Sequence, residues 1–153
     1  MTQPLVLDTN IVLDLWVFDE PGVAALREAV QARHLPWLAT TAMRVELARV
    51  LGYPAIAASL AFHGRSANAV LQRFDELALL QAAAPKAPHT CKDPDDQIYI
   101  DLALQHRAVL LSKDKAVLCM KKRLLTGEST ALTAIEFIAM GDLHRARPSA
   151  QPA

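Results

Sequence analysis

The apolar run Pro4-Leu5-Val6-Leu7 stops abruptly at Asp8-Thr9-Asn10, and this junction limits the folds open to the chain more than any other stretch. A run this short and this uniformly apolar reads as a strand buried on both faces, the kind that parallel sheets use. The polar residues that follow supply turn and helix-cap chemistry. Ile11 to Val17 is then apolar enough to continue as a helix packed on the sheet. In open α/β sheets the carboxyl ends of the strands border the crevice where ligands bind. Asp8 is therefore the first candidate for a functional carboxylate.

The pattern recurs once. Ala108-Val109-Leu110-Leu111 reads as a second buried strand and ends in Ser112-Lys113-Asp114, so two strands finish in acids. Leu35 to Ala39 and Thr130 to Leu132 are further strand candidates. Between them, helical spacing runs from Glu20 to His34, with Val23, Leu26, Ala29 and Val30 on one side. Thr40-Thr41 caps a helix that Gly52 and Pro54 end. From Pro54 to Leu80 the chain reads as helical, broken at Gly64, and Gln81 to Thr90 is a loop rich in alanine and proline. Thr133 to Glu136 matches a capping box that opens a last helix ending at Gly141. At 153 residues with 52% apolar content the chain suits one domain with a substantial core, taken here as residues 1–143, with 144–153 expected as a disordered tail.

A formal charge of +0 excludes a strongly basic, nucleic-acid-coating protein, although it leaves room for a local patch such as Lys121-Lys122-Arg123. Two cysteines and no basic-then-apolar leader give no sign of a secreted disulfide framework, so the expected location is cytoplasmic. No apolar run approaches the roughly 20 residues that span a bilayer.

The acids carry the chemistry. Glu46 lies three residues after Met43 and four before Val50, on or beside the buried stripe of its helix, although a pairing with Arg49 or Arg44 would explain it blandly. Lys92-Asp93-Pro94-Asp95-Asp96 opens a helix to about His106, with Asp93 as its cap and Pro94 in the first turn. Asp96 precedes Ile100 and Ala103 by four and seven residues and so points inward, whereas Asp93 and Asp95 face outward. Carboxylates crowded near a core repel one another unless a cation is present. An all-oxygen set of Asp8, Glu46, Asp96 and Asp114 suits Mg²⁺ or Mn²⁺ rather than zinc. Such ions promote phosphodiester hydrolysis.

Taken in order, Leu5-Val6-Leu7-Asp8-Thr9-Asn10, Glu46, Asp93-Pro94-Asp95-Asp96 with the helix containing Ala103, and Leu110-Leu111-Ser112-Lys113-Asp114 resemble the PIN domain over about residues 4 to 140. The Asp-Pro-Asp-Asp helix start resembles the branch that contains toxins of toxin–antitoxin systems. The resemblance implies a three-layer α/β/α fold with a central parallel sheet and a metal-dependent endoribonuclease acting on RNA. It also implies a homodimer and inhibition by a small antitoxin protein. Carried over, it makes Asp8 and Asp96 direct metal ligands, with Glu46 and Asp114 completing the site. Asn10, Ser112 and Asp93 are supporting groups, and Ser112 keeps the hydroxyl of the threonine common at its position. Arg44, Lys113 and Lys115 are candidate phosphate contacts.

Two other aspartate-based folds fit less well. A phosphotransferase of the haloacid dehalogenase kind needs a second aspartate where this chain has Asn10. A receiver-like module needs acids before the end of the first strand, and Met1 to Leu7 contains none. A non-catalytic PIN-like module that binds RNA or protein remains the rival reading, and metal dependence separates the two.

Overall fold

The computed structural model describes residues 3–141, so the expected tail lies outside the described residues. Strand β1 (Leu5–Leu7) leads into helix α1 (Thr9–Trp16), and a 3₁₀ turn (Pro21–Val23) precedes α2 (Ala24–Gln31). Then come β2 (Trp37–Ala39), α3 (Thr41–Leu51), α4 (Pro54–Phe62), α5 (Ala67–Leu77) and β3 (Ala78–Leu80). A second 3₁₀ turn (Pro94–Asp96) opens α6 (Gln97–His106), followed by β4 (Val109–Leu111), α7 (Lys115–Leu118), α8 (Lys121–Leu125), β5 (Thr130–Leu132) and α9 (Ala134–Ala139).

The strands form one five-stranded sheet in the order β3-β2-β1-β4-β5, and every pair is parallel. With helices flanking this sheet the fold is α/β/α, as the sequence resemblance implied. Helices on both faces explain the unbroken apolar strands: Leu5, Val6, Leu110 and Leu111 have no exposed surface. Each such side chain contributes about 2 kcal/mol by leaving water. Trp37 joins two helices to the sheet, stacking on Trp16 of α1 at 5.5 Å and meeting Phe74 of α5 edge-on at 5.2 Å.

Sequence order reverses around β1, which has β2 on one side and β4 on the other. Leu7 pairs with Leu111, so both strands end at the same level and release Asp8 and Ser112 side by side. This is the switch point at which such sheets open a crevice.

One element departs from the sequence reading, which ran a helix through Leu80. Helix α5 ends at Leu77 and β3 begins at the next residue, because Ala78 takes up extended geometry (φ −75°, ψ 136°) and pairs with Trp37. Val70, Phe74 and Leu77 continue a helical spacing towards Leu80, and neither glycine nor proline marks the change. The open edge of β2 decides it, since strand preference follows pairing more than local sequence. Leu79 and Leu80 remain 48% and 59% exposed, as befits an edge.

Among the described residues no single helix is long and apolar enough to cross a membrane. Helices α3 and α4 meet that test only together, with a bend of 77° between them.

Candidate metal centre

The crevice is built from the loops after β1 and β4 and from the turn that opens α6. Asp8 caps α1, accepting a hydrogen bond from the Thr9 backbone N–H at 2.7 Å. Its other oxygen accepts the Ser112 hydroxyl at 2.7 Å, and the Asp114 backbone N–H donates to that hydroxyl at 3.0 Å. The Lys113 backbone N–H donates to Asn10 Oδ1 at 3.2 Å, which knits the two loops together. Asp8 is 5% exposed and Ser112 fully buried, so this network holds a carboxylate where water cannot solvate it freely.

Asp96 enters from the opposite wall. Asp93 caps the 3₁₀ turn by accepting from the Asp95 N–H at 3.0 Å, and that turn aims Asp96 inward at 8% exposure, one turn before Tyr99 and Ile100. Asp95 is exposed, as the helix phase expects. The Tyr99 hydroxyl shares a hydrogen bond of 2.7 Å with the Thr9 hydroxyl, which fastens the start of α6 to the start of α1. Asp114 caps α7 through the Ala116 N–H at 2.9 Å.

Three carboxylates converge as a result. Asp93, Asp96 and Asp114 each present an oxygen, and these oxygens lie within 4.8 Å of one another. Asp8 and Glu46 are outside that set but close enough for their charges to act. Asp8 raises the Asp96 carboxyl, and Glu46 and Asp114 raise Asp8. Burial, then Asp8, then Asp114 and Asp93 push the Asp96 carboxyl up to about 8. Burial also lifts Asp8 above the usual carboxylate range, against the Ser112 and Thr9 donors that favour its ionised form. The Tyr99 hydroxyl is raised as well, by burial and then by Asp8, Glu46 and Asp96.

The donor set meets the requirements of a hard divalent cation. It is all oxygen, and Asp96 Oδ2 is buried with no hydrogen-bond partner among the described residues. Among the described residues no lysine or arginine ion-pairs with Asp8, Asp93, Asp96 or Asp114. A buried carboxylate oxygen without a donor or a counter-ion is costly. A cation among these oxygens would remove that cost.

The sequence matches the PIN domain family over residues 4–116. The chain belongs to that family. PIN domains are generally nucleases and typically bind divalent metals, and the convergent carboxylates fit both properties. Neither a curated protein nor a solved structure gives a significant match.

The other named residues divide. Glu46 bonds to Arg49 and keeps about a quarter of its side chain exposed, so it sits at the rim. Arg44 is committed to Asp75 through two bonds of 2.7 and 2.8 Å and does not stand free for a phosphate. Lys113 pairs with Asp14 at 2.9 Å, and Lys115 is exposed at the start of α7. Asp93, expected only to support, supplies one of the three clustered oxygens while it also caps the turn. Sequence reading passed over Asp14 and the Thr9–Tyr99 pair. Asp14 left a signal, because an acid inside Ile11 to Trp16 interrupts an otherwise apolar helix that is buried on every side. Tyr99 left one too, three residues after Asp96 and so on the same helix face.

Proposed function

We propose that this PIN domain is a metal-dependent endoribonuclease, the toxin of a toxin–antitoxin pair, and that it works as a homodimer. The observation that carries the catalytic part is the convergence of Asp93, Asp96 and Asp114, with Asp8 close enough for its charge to act on Asp96 and a buried Asp96 oxygen that has no hydrogen-bond partner among the described residues. Asp93, Asp96 and Asp114 would hold Mg²⁺ or Mn²⁺, with Asp8 beside them and Glu46 at the rim. The ion would supply Lewis acidity, lowering the pKa of a water and offsetting charge on the scissile phosphate.

The residues of the chain do the rest. Ser112 and the Thr9 N–H fix the direction of Asp8 and favour its ionised form against burial, and Asn10 locks the two strand-end loops at one spacing. Tyr99 and Thr9 set the depth at which α6 presents Asp96. Exposed Lys115 at the start of α7 makes no ion pair among the described residues and is the candidate cation for a phosphate backbone, while Lys113 is held on Asp14 and would have to leave it to meet a phosphate. For the homodimer, the support is α4, an apolar helix in which only Leu60 is buried and Phe62 is 85% exposed.

The test is cleavage of a mixed single-stranded and structured RNA pool by the purified protein with Mg²⁺, Mn²⁺ or EDTA, alongside Asp8→Asn. Cleavage that needs the metal and is lost in the variant supports the nuclease. A folded protein that cleaves under no metal supports the non-catalytic RNA- or protein-binding module, which the neutral charge of the chain also favours.

A further inference from the structure

The two cysteines of the chain meet at one carbonyl. The thiols of Cys91 and Cys119 both donate to the Ala116 carbonyl oxygen, each at 3.3 Å, so the sulfurs are no farther apart than twice that distance. Cys91 is buried, and Cys119, the C-terminal cap of α7, is exposed. Neither belongs to the acid cluster, yet each sits on a segment that builds it. Cys91 is two residues before Asp93 in the loop that leads into the 3₁₀ turn. Cys119 closes the short helix that Asp114 begins.

A single buried cysteine bonded to a carbonyl is ordinary core packing. Two thiols on one acceptor, one of them reachable from solvent, bring the sulfurs close to the separation from which side-chain rotation can make a disulfide. We propose that Cys91 and Cys119 are a modification site, forming a reversible intramolecular disulfide in response to hydrogen peroxide. Cys119 meets the oxidant. Its sulfur attacks one peroxide oxygen, the O–O bond breaks, and the departing hydroxide takes up a proton as water, leaving a sulfenic acid. The Cys91 sulfur then displaces the hydroxyl from that sulfenic acid, forming the S–S bond and releasing a second water as the thiol proton leaves. Both sulfurs are oxidised, and the peroxide is reduced to two waters.

The bond takes both sulfurs off the Ala116 carbonyl. It draws the loop ahead of Asp93 towards the end of α7 remote from Asp114, and so misplaces Asp93 against its two neighbours. Oxidation is therefore inhibitory. This effect on cleavage rests on the nuclease reading, whereas the bond itself does not.

The experiment treats the full chain with hydrogen peroxide, then with dithiothreitol, and follows intact mass, the Cys91–Cys119 peptide and RNA cleavage with Mn²⁺. The expected result is a monomeric chain lighter by two hydrogens, that crosslinked peptide, and a loss of cleavage of about tenfold, the scale on which disturbed outer-shell groups act. All three reverse with thiol. Cys119→Ser is expected to cleave like the wild type and to lose its sensitivity to peroxide. Stable sulfinic or sulfonic acids without the crosslink, or a crosslink only between chains, overturn the proposal whether or not the protein cleaves RNA. A crosslink that leaves cleavage of an active enzyme unchanged overturns the inhibitory effect. Absence of cleavage in the reduced protein instead counts against the nuclease reading.

Discussion

Helix α1 has an aspartate at either end, and the two are treated in opposite ways. Asp8, at the start, faces Asp96 and Asp114; among the described residues no cation bonds to it, and a hydroxyl and backbone N–H are its close donors. About 12 Å away along the helix axis, Asp19 lies just past the far end. There it bonds Arg65 and approaches Arg27 at 3.7 Å, while those guanidiniums also hold the Trp16 and Leu15 carbonyls. At the far end the protein supplies its own counter-ions, and the charge is structural. At the near end it gathers and buries carboxyls, and among the described residues none of Asp8, Asp93, Asp96 and Asp114 has a cation partner. The difference marks the near end as the candidate place for a cation from outside, and it predicts that removing an acid has opposite consequences at the two ends.

The largest separation should come from Asp96→Asn. Losing a direct ligand should cost more than the 10- to 100-fold typical of outer-shell groups, so RNA cleavage should fall by more than about 100-fold. The fold should survive, because the variant removes a crowded carboxyl and keeps its shape. Asp95→Asn, exposed and one residue away, should cleave like the wild type. The reverse pattern, measured by initial rates with Mn²⁺, would mean that α6 presents a different face.

Next in size is Asp19→Asn. Two guanidiniums lose a shared partner that is about two-fifths exposed, so stability should drop by about 1 kcal/mol, read as an earlier midpoint in urea unfolding. Cleavage per folded molecule should not change. A fall in rate with unchanged stability would remove the distinction between the two ends.

The smallest effect concerns pH. In the metal-free protein the Asp96 carboxyl titrates near 8, against 3.8 for an unperturbed group. Between these values the folded chain holds a proton that the unfolded chain has released, so this group makes stability fall as pH rises from about 4 to about 8. Asp96→Asn should flatten that slope in thermal melts recorded with EDTA. At the far end, Asp19→Asn should leave it in place.

Much of the acid end was legible in the sequence, whereas the Asp19 end with its two arginines was not, and the limits are physical. β1 and β4 are short, uniformly apolar and closed by polar residues, so strand and site position follow from local pattern. β3 does not, because its identity depends on an edge offered by Trp37 to Ala39, distant in the chain. The inward phase of Asp96 follows from helix geometry, since Ile100 and Ala103 are both fully buried beneath it. Pairings made by folding were out of reach. Nothing local joins Arg44 to Asp75 or Lys113 to Asp14, so two candidate phosphate contacts are bound to partners that only tertiary structure supplies. Asp93 shows the converse difficulty, because a residue that caps a helix start can also face a site, and sequence reveals the first role more readily.

The central claim is that the acid end of the sheet takes a cation that the protein does not provide. It is tested most directly by calorimetric titration of Mn²⁺ into the wild type and Asp96→Asn at pH 7, in buffers of differing ionisation heat. With the Asp96 carboxyl near 8, the wild type should bind the metal and release about one proton. The variant should bind far more weakly and release none. Equal affinity and equal proton release in both proteins would contradict the account.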